Sequence, residues 1–188
     1  MYKLCKTEQS ANRQRELEQG LLAAMAACHY DEITISDLCQ RMQIPRKSFY
    51  RYFSGKDGAL HALIDHTLME YESSFVLKYG RKDTTQLQLE SFFLFWQQHG
   101  NLLSALQRSA LSGVLIERAI NHALGDRTIS GHFRSHQERL ETEHATMFAV
   151  CGLMSMMLQW HKDNYKDSVS QMAAIAVRIL TKPLYGAQ

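Results

Sequence analysis

Apolar residues recur along this chain at the spacing of an α-helix, and almost nothing in the sequence interrupts them. The first clear apolar stripe, at i, i+4, i+7, i+8 and i+11, consists of Leu17, Leu21, Ala24, Met25 and Cys28. Alternation with a period of two, which is typical of strands, is rare, and the 188 residues include only two prolines. We therefore predict an all-α fold.

Capping signals and periodicity give the expected helix boundaries. Thr34 and Asp37 have the spacing of a capping box, as do Ser168 and Gln171, and Pro45 suits the first position of a helix. A loose arm is expected over residues 1–11. The predicted helices cover about 12–29, 34–42, 46–53, 56–78, 84–99, 101–111, 113–124, 135–163 and 168–181.

Composition is that of a folded protein outside the membrane. Apolar residues make up 45% and charged residues 21%, which is incompatible with general disorder. The longest apolar or small stretches, 21–28 and 149–158, are far shorter than the ~20 residues that span a bilayer. The first twenty residues lack the apolar core of a signal peptide, and the four cysteines are scattered. We expect a cytoplasmic protein with reduced thiols.

Positive charge is concentrated in the first third of the chain. Residues 1–60 carry nine Lys and Arg against seven Asp and Glu, whereas residues 61–188 carry twelve of each. The stretch from Arg41 to Lys56 holds five basic residues and no acidic one. A short basic stretch on a neutral body indicates a local contact with a polyanion.

This basic stretch lies in a predicted helix-turn-helix, two short helices joined by a tight turn. In the second helix Phe49 and Phe53 are four residues apart and are expected to face inward. The outward face then consists of Arg46, Lys47, Ser48, Tyr50 and Arg51. Such a face suits the major groove of DNA, where Arg and Lys donate to guanine and Ser and Tyr contact phosphates or thymine methyl groups. The alternative is a solvated basic face on a purely structural helix.

The same residues resemble the DNA-binding signature of the TetR family of bacterial transcriptional regulators. The matching stretches are ITISDL at 33–38, IPRKSFYRYF at 44–53 and GKDGAL at 55–60, and the resemblance covers about residues 12–65. It implies phosphate contacts from Thr34, Tyr50, Tyr52 and Lys56, with Arg46, Lys47 and Ser48 nearest the bases. It also implies a DNA-binding domain over 1–60 and a helical regulatory and dimerisation domain over 61–188.

Two positions depart from the TetR pattern. Gln43 stands where the family usually has Gly in the turn, and a left-handed conformation there costs on the order of 1–2 kcal/mol. Pro45 stands where the family usually has a small hydroxyl residue, so a hydroxyl and an N–H group are missing. Because of these departures, an alternative stays open in which the first domain does not bind DNA productively.

The C-terminal helices are apolar around most of their circumference. Residues 91–96 and 145–160 leave no solvent face, so we expect burial on both sides. A second copy of the chain is the natural partner, with helices 143–162 and 168–181 forming a four-helix interface. The interface would use either Met147, Cys151, Met154 and Leu158 or Phe148, Gly152, Met156 and Trp160. The region around Gly152, Trp160 and residues 170–173 also resembles a TetR subgroup that includes dihydroxyacetone-kinase regulators.

Members of the resembled family usually bind a small molecule in the helical body. The side chains expected to line a cavity, with His99 as a polar anchor, are Phe92, Phe95, Trp96, His99, Leu103 and Met147. The alternative is that these side chains simply fill the core. His132 and His136 have a metal-compatible spacing, but Gly131 disfavours a helix there, and we predict no metal site and no cofactor.

No catalytic motif occurs in the sequence, so we do not predict an enzyme. The expected function is a TetR-like, homodimeric regulator that binds double-stranded operator DNA, a repressor released by a small-molecule effector. The alternative is a protein–protein adaptor or co-activator with the same fold.

Overall fold

The structure is a computed structural model that describes residues 1–78, 84–125 and 135–181. For residues 75–78 it describes the backbone only. The described residues form helices with no strand, as the apolar periodicity predicts. The helices are α1 (Glu8–Ala27), α2 (Ile35–Arg41), α3 (Arg46–Tyr50), α4 (Lys56–Lys78), α5 (Thr85–Gln98), α6 (Gly100–Arg108), α7 (Ser112–Gly125), α8 (His136–Lys162) and α9 (Val169–Thr181). A single 3₁₀ turn, Tyr30–Glu32, precedes α2.

The N-terminal segment differs from the prediction, because it is not a loose arm. Helix α1 already begins at Glu8, with the Thr7 hydroxyl accepting a hydrogen bond from the Ser10 N–H group. Before it, the Lys3 N–H group donates to the Tyr52 carbonyl at 3.0 Å, and the Tyr2 hydroxyl donates to Asp65 at 2.8 Å. The sequence did not predict these contacts, because the segment is polar and its partners lie about fifty or more positions away in the chain.

The described chain divides into two compact units. Unit 1 comprises residues 1–67 and 104–118, and unit 2 comprises residues 68–103 and the part that follows residue 118. Unit 1 therefore contains the whole of the predicted 1–60 domain together with a segment from α6 and α7. None of the helices that the structure describes is long and apolar enough to cross a bilayer.

Unit 1 packs around the apolar stripe of α1. Leu17, Leu21 and Met25 are completely buried, and Phe49 and Phe53 are buried in the same unit. Arg108 stabilises the end of α1, because its guanidinium donates to the Ala26 carbonyl at 2.6 Å. The helix that carries the basic stretch therefore belongs to a well-packed core.

Unit 2 is built from long helices, of which α5 and α9 pack along one another. Helix α9 begins with a complete capping box between Ser168 and Gln171, as the spacing predicts. Phe93 and Trp160 meet edge to face, with ring centroids 5.6 Å apart. Helix α8 is one continuous helix. Residues 91–96 are mostly buried, but 145–160 is buried on one side only within this chain, so the burial on both sides expected there is not found in a single copy.

Candidate nucleic-acid interface

Thr34 caps helix α2, as predicted. Its hydroxyl accepts a hydrogen bond from the Asp37 N–H group at 3.1 Å and donates to the Asp37 carboxylate at 2.6 Å. The predicted reach of Asp37 back to the Thr34 backbone is thus replaced by a bond to the hydroxyl. Thr34 is exposed, so its hydroxyl stands at the surface beside the first turn of α2.

The turn between α2 and α3 is a Schellman motif. The Ile44 N–H group donates to the Cys39 carbonyl at 2.9 Å, and the Gln43 N–H group donates to the Gln40 carbonyl at 3.1 Å. Gln43 has a φ of 53°, so it occupies the left-handed position that glycine normally takes. The helix-turn-helix geometry forms with glutamine in that position.

Helix α3 is shorter than the predicted 46–53. Pro45 is extended, with ψ at 142°, and so precedes the first helical residue instead of being that residue. After Tyr50 the chain turns, and the Tyr52 N–H group bonds to the Phe49 carbonyl three residues earlier. Phe49 and Phe53 are buried as predicted, and their ring centroids are 5.1 Å apart.

The opposite side of α3 faces solvent. Arg46, Lys47, Tyr50 and Arg51 are exposed, whereas Ser48 is half-buried. The Arg46 guanidinium lies 6.0 Å from the centre of the Tyr50 ring, so the two side chains form one outward surface. We call Arg46, Lys47, Ser48, Tyr50 and Arg51 the reading face.

Tyr52 and Lys56 are less available than the reading face. Tyr52 is only 8% exposed. The Lys56 ammonium donates to the carbonyls of Tyr30 at 2.6 Å and Ile33 at 2.9 Å, and it lies 4.2 Å from the centre of the Tyr30 ring. Two of its three donors therefore hold the 3₁₀ turn in place, and one remains for a phosphate.

Unit 2 contains a cavity of about 220 Å³ between four of its helices. Of the six predicted ligand residues, only Phe92 lines it. Phe95, Trp96 and Leu103 are buried elsewhere in the packing, and the His99 ring stacks on the Phe95 ring at 4.2 Å. Met147 is 39% exposed, and it too lies outside the cavity lining.

The cavity also uses residues that the sequence reasoning missed. The described lining residues besides Phe92 are Leu68, Tyr71, Glu72, Ala119, His122, Ala123, Val150, Leu153 and Met154. These residues belong to α4, α7 and α8. Two of them form a polar pair, in which the Glu72 Oε1 atom lies 3.0 Å from the His122 Nε2 atom. A pattern along one helix cannot show which residues of other helices face the same space.

Metal ligands and reactive thiols are the remaining candidates for chemistry outside the reading face. Among the described residues no three His, Cys, Asp or Glu side chains cluster in a way that holds a metal ion, and His132 lies outside those residues. Cys39 is buried, and burial raises the pKa of its thiol, while Arg46 lowers it to a smaller extent. This thiol is therefore poorly reactive.

No protein-family model matches the chain, and no curated protein matches it by sequence. Solved structures do match. The fatty acid degradation regulator FadR from Bacillus halodurans superposes with a TM-score of 0.61 at 14% identity, over 96% of this chain and 98% of that one. A TetR-family transcriptional regulator from Streptomyces coelicolor gives 0.57 at 19% identity, over 90% and 79% of the two chains. This chain has the TetR-family fold.

A further structure with the TetR-like fold bears on the subgroup resemblance. The dihydroxyacetone kinase operon activator DhaS matches with a TM-score of 0.50 at 14% identity, over 89% of this chain and 93% of that one. All these identities are low, so the likeness concerns the fold. Gln43 takes the left-handed position of the turn, and Pro45 is extended before α3.

Proposed function

We propose that this protein is a TetR-like transcriptional regulator that binds double-stranded DNA through the reading face. The observation that carries the proposal is the position of α3 and the turn that follows it. Phe49 and Phe53 are buried there, and only basic, hydroxyl and aromatic side chains are left outside. Arg46 and Lys47 would donate to guanine edges or phosphates, and Tyr50 would contact a phosphate or a thymine methyl group. Thr34, Tyr52 and Lys56 remain proposed phosphate contacts at the edges of this surface.

The proposed assembly is a homodimer, because two reading faces are needed to recognise a near-palindromic site. Support comes from the exposed side of α8, where Phe148 is 68% exposed and Gly152 has open space in front of it. Phe148, Gly152, Ser155 and Gln159 form one exposed stripe at helical spacing. Neither predicted set is kept as a whole. Trp160, predicted together with Phe148 and Gly152, is buried within the chain, as are Met154 and Leu158 of the other set. Small residues at 152 and 155 allow close helix approach.

The proposed mode of regulation is repression that a small-molecule effector relieves. The effector would occupy the cavity of unit 2 and favour a dimer conformation whose reading faces no longer match the operator. Helix α4 contributes residues to both units, since it begins at Lys56 and ends at Lys78. It is therefore the element expected to transmit the change. Such a regulator would act in the cytoplasm.

DNA-binding affinity tests the proposal. Labelled duplex from the region upstream of the protein's own gene would be titrated at several salt concentrations with wild-type protein and with Lys47→Ala. Each lost phosphate contact flattens the slope of log K against log salt by about 0.9, so a dimer with the Lys47→Ala change should lose up to about 2. Lys166→Ala is the matched control, because Lys166 is an exposed lysine in unit 2.

The outcome also separates the regulator from the adaptor. An unchanged affinity and slope for Lys47→Ala and Tyr50→Ala would contradict the proposed docking of α3. Failure of the wild-type protein to prefer any genomic duplex over random DNA would favour the adaptor. Among the residues that the structure describes, the helix-turn-helix is intact despite Gln43 and Pro45, so the two departures from the TetR pattern give the adaptor no support there.

A further inference from the structure

We propose that the cavity of unit 2 takes a small organic cation, namely an apolar body that carries one protonated amine. This inference rests on the proposed function, because it names the chemical class of the effector. It starts from the lining of the cavity, most of whose residues are apolar or aromatic. Leu68, Leu153 and Met154 contribute aliphatic surface, and Tyr71 and Phe92 contribute aromatic rings.

The charged side of the cavity is formed by Glu72 and His122. The His122 Nε2 atom lies 3.0 Å from the Glu72 Oε1 atom. Among the described lining residues there is no Lys or Arg, so Glu72 is the permanent charge of the cavity. The His122 Nε2 atom makes no hydrogen bond despite this distance, and a carboxylate offers about four acceptor positions, so Glu72 can accept from a ligand. An ammonium group therefore finds an acceptor of opposite charge at one end of the space.

Aromatic rings stand beside this carboxylate. Tyr71 precedes Glu72 in α4, and its ring meets the Phe92 ring edge to face with centroids 5.9 Å apart. Burial, with a smaller contribution from the charge of Glu72, raises the pKa of Tyr71 to about 12, so its phenol stays neutral. Neutral aromatic rings attract a cation through their faces. The same surroundings disfavour an anion, which would lie close to the Glu72 carboxylate.

The size of the cavity limits the ligand. Its volume of about 220 Å³ lies below the ~300–1,000 Å³ of pockets for drug-sized molecules. A single ring with a short aminoalkyl arm fits this space, whereas a long fatty chain or a multi-ring compound does not. The inference therefore concerns monoamines of the size of benzylamine.

Calorimetric titration of the dimeric protein with three probes of matched shape tests the inference. The probes are benzylamine, benzyl alcohol and benzoate. Because a hydrogen bond to a charged partner contributes about 1.5–3 kcal/mol, benzylamine should bind at least about tenfold more tightly than benzyl alcohol. Benzoate should bind more weakly than either. A second series carries a cyclohexyl ring in place of the phenyl ring. The same order of affinities in both series would show that the charge of the probe, and not the shape of its ring, decides binding.

Two substitutions on the same helix form the matched pair. Glu72→Gln keeps the shape of the side chain and should remove the advantage of the amine over the alcohol. Glu70→Gln removes an equal charge from a residue that pairs with His99 at 3.8 Å and does not line the cavity, so amine binding should be unchanged. Ala123→Leu narrows the cavity and should therefore lower the affinity for every probe. Thermal melting confirms that each variant is folded.

The results distinguish this inference from the proposed function. Tighter binding of benzoate than of either amine, or no amine binding up to millimolar concentration, overturns it even if DNA binding is intact. Equal amine affinity in wild type and Glu72→Gln also overturns it. Amine binding with the expected Glu72 dependence supports the cation site, and loss of DNA affinity on adding the amine links that site to regulation. Absence of DNA binding by the ligand-free protein contradicts the proposed function alone.

Discussion

Gln43 illustrates how one residue can be strained while its surroundings keep their geometry. Its φ of 53° is unfavourable for a side chain with a Cβ atom, yet two backbone hydrogen bonds of the Schellman motif hold it there. Lys56 is a residue of the proposed DNA surface that also stabilises the fold. The resemblance implies that it contacts DNA, but its ammonium also donates to two carbonyls of the same unit. A residue at a binding surface can thus serve the fold as well.

Replacing Gln43 with glycine should stabilise the protein. Glycine adopts the left-handed conformation without the Cβ penalty, so we expect Gln43→Gly to raise the free energy of unfolding by about 1 kcal/mol. Urea denaturation measures the change. Gln40→Gly, in the right-handed interior of α2, is the control and should lower the same quantity by about 1 kcal/mol. A loss of stability in Gln43→Gly would contradict the strain argument.

Removing the Lys56 ammonium should affect both folding and DNA binding. Lys56→Met leaves the carbonyls of Tyr30 and Ile33 without their charged donor, which should cost about 1–3 kcal/mol in unfolding free energy. Lys47→Ala should leave stability within about 0.5 kcal/mol, because that side chain is exposed. Urea denaturation of both variants checks this difference. Equal stabilities would show that the Lys56 contacts contribute nothing.

At the scale of elements, the N-terminal segment acts as part of unit 1. Tyr2 forms an isolated bridge with Phe53, directly after the reading face, and donates to Asp65 in α4. Arg118 in α7 also donates to Asp65, with its Nε atom 2.6 Å from Oδ1. Asp65 therefore ties the segment before α1 to two helices. This arrangement fixes the chain that leaves α3.

The Tyr2 contact should produce a pH dependence in the alkaline range. Burial, followed by the hydrogen bond and the charge of Asp65, raises the pKa of Tyr2 from 10.0 to about 12. A raised folded pKa means that the contact stabilises the protein below pH 10 and that this stability is lost as the pH approaches 12. Urea denaturation between pH 10 and pH 12 should show the unfolding free energy falling. This fall should be smaller in Tyr2→Phe. Other phenols whose pKa is raised by burial, namely Tyr30, Tyr71 and Tyr165, contribute to the rest of the fall. An identical profile for Tyr2→Phe would contradict the contact.

At the scale of the molecule, the proposed operator recognition depends on two copies. A phenylalanine as exposed as Phe148 on a long helix is unusual unless another surface covers it. Phe148, with the small residues at 152 and 155, provides such a surface in unit 2. The proposed dimer would bring together two reading faces without adding any contact to DNA itself.

Charge placed on this stripe should separate the copies. We expect Phe148→Glu to convert the dimer to monomers, because an unpaired carboxylate would be buried at the interface. Operator affinity should fall with it, since each monomer presents one reading face. Analytical ultracentrifugation at micromolar concentration measures the oligomeric state. Leu94→Glu is the control, because Leu94 is an exposed apolar residue on another helix, α5. A dimer that survives Phe148→Glu would contradict the assignment of this stripe.

The sequence alone determined what depends on neighbours along the chain. Apolar periodicity and capping residues located the helices, and the pair Phe49 and Phe53 oriented the reading face, because positions four apart share one side of a helix. Only the tertiary structure decided which side chains from distant helices face one space. The predicted ligand residues lie on α5, α6 and α8 or next to them. Glu72 and His122, by contrast, meet because α4 and α7 pack together. The docking of Tyr2 was hidden for the same reason, since its partners lie far away in the chain.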